Sequence, residues 1–220
     1  GIHLEIYSDT VRASACDAFR MAVTEIKCNC GGKMSVTVPK QSFFYLANAV
    51  EDKDLLEFGL NANTLVFIKS DMLFSTRIIS EPFMNIDRLL NMPDKMLVAK
   101  IKANDMKTMA ETVSMITNFS EDTAPVLLKF KNNNLQLSIE STEAESMLNV
   151  PIESVNMISG EFYYNAKYFS DMLKVIRGDV DVYMTKRGIL YASNPVSEYM
   201  LTNSKKRSVK RKSKKTKKAA

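Results

Sequence analysis

The residues that could do chemistry in this chain are few, and their spacing argues against catalysis. The one histidine, His3, lies on a predicted opening strand with no nucleophile placed beside it, so a Ser-His-Asp relay has no support. Cys16 and the Cys28-x-Cys30 pair would complete four zinc ligands with that histidine. Structural zinc pairs are usually separated by about two to four residues, so core and loop thiols are the alternative interpretation.

Phosphate-binding loops and paired catalytic acids find no better support. The seven glycines form neither GxGxxG nor GxxxxGK[ST], the spacings that cradle phosphates. Glu140, Glu143 and Glu145 flank a strand turn, where acidic residues ordinarily face solvent. We therefore predict a protein that is not an enzyme and that needs no cofactor and no metal.

The net charge of +5 hides a split between an acidic body and a basic tail. Residues 205–220, KKRSVKRKSKKTKKAA, hold ten basic residues and no acid, which leaves residues 1–204 with a net charge of −5. Such a tail cannot bury a core, so we predict that it is disordered and contacts phosphate backbones without sequence preference. A solubilising or expression-derived end is the alternative.

The overall composition fits a globular protein with one large domain or two small ones. Apolar residues make up 45% of the chain, which is too many for a disordered protein. No stretch approaches the roughly 18 to 20 apolar residues of a membrane span, and the N-terminus lacks a signal-peptide pattern. The odd count of three cysteines argues against a disulfide scaffold and favours a reducing cytoplasm.

A strand, a helix and three further strands form a pattern that occurs three times, starting at Met34, Leu97 and Glu161. Two such modules can join their strands into sheets, with both helices on one face. The second and third modules then make one complete α+β domain. The first module has only three opening strands as its partner, so its domain is predicted to lack a leading strand and helix.

The elements follow from the spacing of apolar residues. Helices are predicted at 40–50, from Asn104 or Asp105 to 119, and at 165–177, each with one apolar face. These faces are formed by Phe43, Leu46, Ala47 and Val50 on the first helix, by Met106, Met109, Val113 and Ile116 on the second, and by Phe169, Met172, Leu173 and Ile176 on the third. A strand near the start is predicted to carry Phe19, Met21 and Val23 on one face. Residues 80–96 interrupt the pattern with two prolines. The predicted boundaries are 1–95 for an incomplete first domain, 96–204 for a complete second one and 205–220 for the tail.

Four segments carry motifs that occur in this order in one known family. They are ACDAFRMA at 15–22, within the stretch 1–23; STRIISEPF at 75–83, followed by Arg88-Leu89-Leu90; GEFYYNAKYF at 160–169; and SEYML at 197–201. Together they resemble the bacterial sliding clamp, the β subunit of DNA polymerase III, over residues 1–204. The resemblance implies a DNA-clamp fold with sheets outside and helices inside. It also implies a non-catalytic subunit of a DNA-directed DNA polymerase holoenzyme, matched here over most of the middle domain and all of the C-terminal one.

The first functional surface implied by the resemblance is a hydrophobic cleft between the middle and last domains. In the family this cleft receives short peptide motifs of the replicative polymerase and the clamp loader. Carried over by position, its residues are Cys16, Ala18, Phe19, Arg20, Met21, Met84, Arg88, Leu89, Ile189, Met200 and Thr202. Plain interdomain packing is the alternative for Met21, Leu89 and Met200. Ala18-Phe19 stands where the family has Gly-His, which would alter peptide selectivity.

The second implied surface faces double-stranded DNA. Basic residues that lie off the apolar stripes of the helices, together with the start of the tail, are the candidates: Lys40, Lys107, Lys167, Lys174, Arg177, Lys205, Lys206 and Arg207. An ordinary solvated helix face is the alternative, since Glu111 and Asp171 dilute the charge.

The implied function is that of a processivity factor in DNA replication. Clamps of this family close head-to-tail into a homodimeric ring around DNA, in the cytoplasm and on the nucleoid. The ring joint uses an N-terminal domain that this sequence does not match. The alternative is therefore an adaptor that forms no ring, in which the peptide cleft is tethered to DNA by the basic tail.

Overall fold

The computed structural model describes residues 1–119 and 124–206. The chain forms two units, the first from 1–17 and 21–91, the second from 18–20 and the chain from Met92 onward. The elements of the first unit are β1 (Ile2–Tyr7), β2 (Thr10–Cys16), β3 (Arg20–Lys27, of which Arg20 clusters with the second unit), β4 (Met34–Val38), α1 (Lys40–Ala49), β5 (Glu57–Asn61), β6 (Thr64–Lys69), β7 (Met72–Arg77) and α2 (Asp87–Leu90).

The elements of the second unit are β8 (Met96–Ile101), α3 (Ala103–Phe119), β9 (Val126–Lys131), β10 (Asn134–Glu140), β11 (Glu145–Pro151), β12 (Glu153–Ser154), β13 (Phe162–Tyr164), α4 (Ala166–Val175), β14 (Val180–Met184), β15 (Leu190–Ser193) and β16 (Ser197–Leu201). Within the described ranges, no helix is long and apolar enough to cross a membrane. The predicted basic tail is described only at Lys205 and Lys206, and its remainder, 207–220, lies outside the described residues.

The first unit has two antiparallel sheets and a small core. In one sheet β1 lies between β2 and β4, and β3 follows β2, so that Leu4 is opposite both Ala13 and Val36. In the other sheet β6 lies between β5 and β7. The buried core consists of Leu4, Val36, Val38, Leu46 from α1, Leu65 and Phe67.

The second unit also has two sheets, and each contains one strand from the other repeat. Strand β8, which leads the second repeat, pairs with β14 of the third in the order β12-β8-β14-β15-β16. Strand β13, which leads the third repeat, pairs with β9 of the second in the order β11-β10-β9-β13. Helices α3 and α4 pack side by side, with the hydroxyls of Ser114 and Ser170 3.4 Å apart. This exchange of leading strands encloses a far larger core than that of the first unit.

The α+β class and the threefold repeat are confirmed. The predicted apolar faces of helices α3 and α4 are confirmed as well. All predicted core positions of these helices are buried: Met106, Met109, Val113 and Ile116 on α3, and Phe169, Met172, Leu173 and Ile176 on or just after α4. On α1 only Leu46 is buried, and Ala47, predicted on the same face, is exposed. The two-residue strand β12 was not predicted, because two residues are too few to show a period.

Helix α3 begins one residue before the predicted caps because a distant carboxylate holds its first turn. The sequence favours Asn104 or Asp105 as the cap, but the helix begins at Ala103. Asp179 accepts a hydrogen bond from the Ala103 N–H at 3.0 Å and another from the Lys102 ammonium at 2.8 Å. These bonds satisfy groups that the helix leaves unpaired, and a local sequence pattern cannot show a partner so far along the chain.

The predicted common face of Phe19, Met21 and Val23 is wrong for Phe19. Strand β3 begins at Arg20, so the two-residue alternation does not extend back to Phe19. Met21 and Val23 are buried in the first unit, whereas Phe19 clusters with the second unit and is 55% exposed. Its ring is therefore a surface feature of the second unit.

Strand β5 lacks the cover that its counterpart in the second unit receives. By the repeat, β5 corresponds to β9, whose outer neighbour is β13. Leu60 is paired with the buried Leu65 and lies on the core face with Phe58, yet these two side chains are 47% and 36% exposed. On β9 the core-facing Val126 and Leu128 are 0% and 1% exposed. Among the described residues, no strand pairs with the second edge of β5.

We expect truncation of Leu128 to lower the free energy of unfolding more than truncation of Leu60, because only Leu128 is fully buried. Leu128→Ala should lower the free energy of unfolding of the second unit by about 2–5 kcal/mol. Leu60→Ala should lower that of the first unit by less than about 1 kcal/mol, because much of the side chain is already in water. Urea denaturation, followed for each unit by hydrogen exchange, measures both values. If both variants lost the same free energy of unfolding, the inference that the core face of β5 is only partly covered would be wrong.

Candidate functional site

Thr202 fixes the main chain of Phe19 in the second unit. The Thr202 N–H and its hydroxyl both donate to the Phe19 carbonyl oxygen, at 2.8 and 3.1 Å. Two residues earlier, Met200 of β16 pairs with Tyr191 of β15 and is buried. Phe19 and Thr202, two of the predicted cleft residues, are therefore in direct contact, and Met200 lies inside the adjoining strand.

Arg20 is held by an acid and an aromatic ring on helix α4. Its guanidinium lies 2.8 Å from the Asp171 carboxylate and stacks over the Tyr168 ring, 4.3 Å from the ring centre. The Phe19 ring lies against the same tyrosine, with ring centres 6.2 Å apart. Tyr168 and Asp171 are three residues apart on the helix and so share one face. Phe19, Arg20 and Tyr168 together form a partly exposed aromatic and cationic surface, which we call the Arg20 surface.

The start of α4 determines where Tyr168 lies. The Asn165 side chain accepts a hydrogen bond from the Tyr168 N–H at 3.0 Å, which makes Asn165 the N-cap of the helix. Ala166 and Phe169, which follow the cap, are buried in the core. The cap and the apolar stripe therefore leave Tyr168 at the rim, where it can meet Arg20.

Ala18 and Ile189 are the remaining predicted cleft residues in this unit. Ala18 is exposed and directly precedes Phe19. Ile189 is half-buried, donates its N–H to the Thr185 hydroxyl at 3.1 Å and accepts from the Thr185 N–H at 3.0 Å. Its main chain is therefore part of the tight turn that leads into β15.

The remaining predicted cleft residues lie in the first unit. Cys16 is the last residue of β2, opposite Met21 of β3, and its sulfur lies 3.1 Å from that of Met84. Burial raises the pKa of the Cys16 thiol, so the group packs as a neutral, soft apolar contact. Met21 is buried, whereas Met84 is exposed. Arg88 and Leu89 lie on the short helix α2, whose start is held by the Asn85 side chain accepting from the Arg88 N–H at 3.2 Å.

The predicted DNA-contacting residues on the helices or just after them are all exposed. Lys107 lies 3.9 Å from Glu111, one helical turn away, as expected of a solvated pair. The Arg177 guanidinium donates to the main-chain oxygens of Lys174 and Ile176, at 2.6 and 3.1 Å, and so closes the C-terminal end of α4. Lys40 begins α1 in the first unit, and Lys167 lies in the first turn of α4. Arg207 lies outside the described residues.

The first residues of the tail lie against strand β13. The Lys206 ammonium is 3.8 Å from Glu161 and 5.8 Å from the centre of the Tyr163 ring. Glu161 is also 2.7 Å from Lys129 and accepts a hydrogen bond from the Tyr163 hydroxyl at 2.5 Å. The Lys129 and Tyr163 hydrogen bonds lower the pKa of Glu161 to about 2. Lys206, one of the two tail residues that the structure describes, is therefore already paired with the Glu161 carboxylate.

The histidine and the cysteines do not form the catalytic or zinc arrangements considered from the sequence. The His3 ring stacks on Phe83 with centres 4.5 Å apart, and its Nδ1 is 2.9 Å from the Thr37 hydroxyl. Partial burial lowers the pKa of His3. Cys28 and Cys30, expected as thiols, are bonded to each other, because the loop brings their Cα atoms to 5.8 Å. Within the described residues, no three His, Cys, Asp or Glu side chains could hold a metal.

Tyr168 and Asp171 of the Arg20 surface were not predicted as site residues. Tyr168 was named only as part of the motif at 160–169, and Asp171 only as an acid that reduces the positive charge of the helix surface. Their three-residue spacing put both on one face of α4, but nothing local indicated that Arg20, about 150 residues earlier, would meet that face.

The family model for the DNA polymerase III beta subunit, central domain, matches residues 1–85. A comparison with curated protein sequences gives no match. Among solved structures, the chain resembles a putative DNA polymerase III beta subunit from Eubacterium rectale, with a TM-score of 0.82, 19% identity and coverage of 93% of this chain and 56% of that one.

Two further solved structures give the same result. The DNA polymerase III subunit beta from Pseudomonas aeruginosa has a TM-score of 0.80 at 21% identity, covering 93% of this chain and 58% of its own. The sliding clamp from Bacillus subtilis has a TM-score of 0.81 at 16% identity, covering 94% and 57%. The chain therefore has the sliding-clamp fold and spans a little over half the length of these structures, which confirms the resemblance inferred from its motifs.

We expect the Glu161 carboxyl to titrate far below its usual range. Because its folded pKa is depressed to about 2, Glu161 contributes stability above its ordinary pKa of 4.5, and that contribution is lost as the pH falls toward 2. A carboxyl NMR titration measures the pKa directly. Lys129→Met should raise it toward the ordinary value, whereas Lys131→Met, which removes the same charge two residues away, should not. Equal shifts in the two variants would contradict the assigned contact.

Proposed function

We propose that this chain is a sliding-clamp subunit, a non-catalytic processivity factor for a replicative DNA polymerase. The observation that carries the proposal is the clamp fold itself, shared over 93% of the chain with solved beta subunits. Such a protein works by topology: it surrounds DNA, contacts phosphates and holds a polymerase close by. Contacts that read no bases suit this task, because the subunit must slide. The proposed place of action is the cytoplasm, on the nucleoid.

We propose that the first unit is a middle clamp domain without its leading strand and helix, and that the second unit is the C-terminal clamp domain. The family match at 1–85 to the central domain supports the first assignment. The uncovered core face of β5 supports the missing strand, because Phe58 and Leu60 are exposed where their counterparts on β9 are buried. Exposed Phe44 and Tyr45 on α1 support the missing helix, since α3 packs against α4 in the second unit.

The proposed peptide-binding surface is centred on the Arg20 surface. Phe19 and Tyr168 offer aromatic faces, and the ion pair with Asp171 holds Arg20 in one orientation across the tyrosine ring. Rigid aromatic side chains with an adjacent arginine are the groups that dominate binding energy in interfaces. In the first unit, the soft sulfur contact of Cys16 with Met84 would by itself suit varied apolar side chains. The proposed partners are short peptides of polymerase and clamp-loader subunits.

We expect a peptide that carries a bacterial clamp-binding motif to bind this protein through the Arg20 surface. Tyr168→Ala should weaken binding at least about tenfold, because it removes the ring on which Arg20 and Phe19 rest. Fluorescence polarisation with a labelled peptide measures the affinity. Tyr45→Ala, an exposed aromatic of α1, is the matched control and should leave the affinity unchanged. No binding by the unaltered protein, or equal loss in the control, would refute the assignment.

We expect the helix lysines to contribute phosphate contacts that are independent of DNA sequence. The triple variant Lys107→Ala, Lys167→Ala, Lys174→Ala should reduce the slope of log affinity against log salt by about 0.9 for each contact removed. The matched control is Lys53→Ala, Lys131→Ala, Lys186→Ala, which removes equal charge outside the helices. If deletion of 205–220 abolishes binding while the triple variant does nothing, the protein tethers to DNA by its tail, and the clamp assignment of these lysines is wrong.

A further inference from the structure

We propose that the Cys28–Cys30 disulfide is a thiol–disulfide exchange site for an external protein dithiol. The pair lies in the loop between β3 and β4, and it is independent of the surfaces assigned above. A disulfide that closes so short a loop restricts the unfolded chain much less than a long-range one. Stabilisation of the fold is therefore a poor explanation for this bond, and reactivity is the alternative.

The two sulfurs differ in accessibility, which sets the order of the exchange. Cys28 is half-buried, whereas Cys30 is only 9% exposed. A thiolate of the partner attacks the Cys28 sulfur, the Cys28–Cys30 bond breaks, and Cys30 leaves as a thiolate. The partner's second thiolate then attacks its own sulfur in the mixed disulfide, and Cys28 leaves. The protein gains two electrons and two protons, and the partner becomes a disulfide.

The flanking charges favour the leaving thiolates. Lys27 and Lys33 bracket the loop, and both side chains are exposed. Positive charge near a cysteine lowers its thiol pKa and speeds the departure of its sulfur. Asp9 is the acid closest to the loop through main-chain contact, and its carboxylate opposes this effect in part.

Opening the bond would release a segment that is tied to the neighbouring turn. The Cys28 N–H donates to the Asp9 carbonyl oxygen at 2.9 Å, and the Cys30 N–H donates to that of Ser8 at 3.2 Å. Gly31 and Gly32 follow, and no heavy atom lies within 4 Å of a Cβ built on either. The loop therefore has space to rearrange once the sulfurs separate, and the β1–β2 turn would lose two main-chain partners.

The reducing thiol must come from another molecule. The only further cysteine, Cys16, lies at the opposite end of β2 from the turn that contacts the loop. Six residues of extended strand separate those ends, which is roughly 20 Å at about 3.3 Å per residue. Cys16 cannot reach the pair, so internal exchange is excluded within the native fold.

The test uses the full chain with Cys16→Ser, so that only the pair can react. The native protein is incubated in glutathione buffers of graded ratio, quenched with iodoacetamide and analysed by intact mass. We expect the disulfide and dithiol forms to interconvert reversibly without unfolding, and the quench to report them as unalkylated and doubly alkylated protein. Reduction should raise the hydrogen-exchange rates of the Cys28 and Cys30 amides at least tenfold. Lys27→Gln with Lys33→Gln should slow reduction severalfold, whereas Lys53→Gln should not.

Single-cysteine variants test the order of attack. With Cys30→Ser, the remaining Cys28 should form a mixed disulfide with oxidised glutathione at least tenfold faster than Cys30 does in the Cys28→Ser variant. Equal rates would overturn the assigned order. A bond that opens only in denaturant would show a structural disulfide, and a pair that stays alkylatable in oxidised glutathione would show that no disulfide forms; either result overturns the proposal.

Discussion

The second unit depends on the exchange of leading strands between its two repeats. A repeat by itself would leave one edge of its three-stranded sheet unpaired and one helix face in water. Because β13 covers β9 and β8 covers β14, both sheets extend across both repeats, and α3 and α4 share one core. In the first unit, no described strand pairs with the second edge of β5, and the core-facing apolar side chains of β5 reach solvent.

The Arg20 surface follows from that core and from one cap. Phe169 and Leu173 bury one stripe of α4, and Asn165 sets the residue at which the helix begins. Together they turn Tyr168 and Asp171 toward Arg20, whose guanidinium contacts both the acid and the ring. A surface of this kind is specific in orientation although each of its contacts is partly exposed and individually weak. Such a rigid aromatic and cationic surface suits the peptide binding that we propose for it.

Much of the fold was predictable because apolar periodicity is a local signal. The core stripe from Met106 to Ile116 was identified correctly from its spacing. The errors fall where a distant residue decides: Asp179 caps α3, and Phe19 leaves the strand alternation to join the second unit. The proposed site was predicted in part, since Phe19, Arg20 and Thr202 were named by position. Tyr168 and Asp171 were not, because their partner is remote in sequence.

The sequence by itself determined the repeat, the class and the identity of the helices, because burial requires apolar residues at fixed periods along the chain. Its motifs also determined the family resemblance. Only the tertiary structure decided which strand completes which sheet, which carboxylate caps which helix and which aromatic ring meets Arg20. Those choices depend on contacts between residues far apart in the chain, and hydrogen-bonding and charged groups leave no period in the sequence that marks their partners.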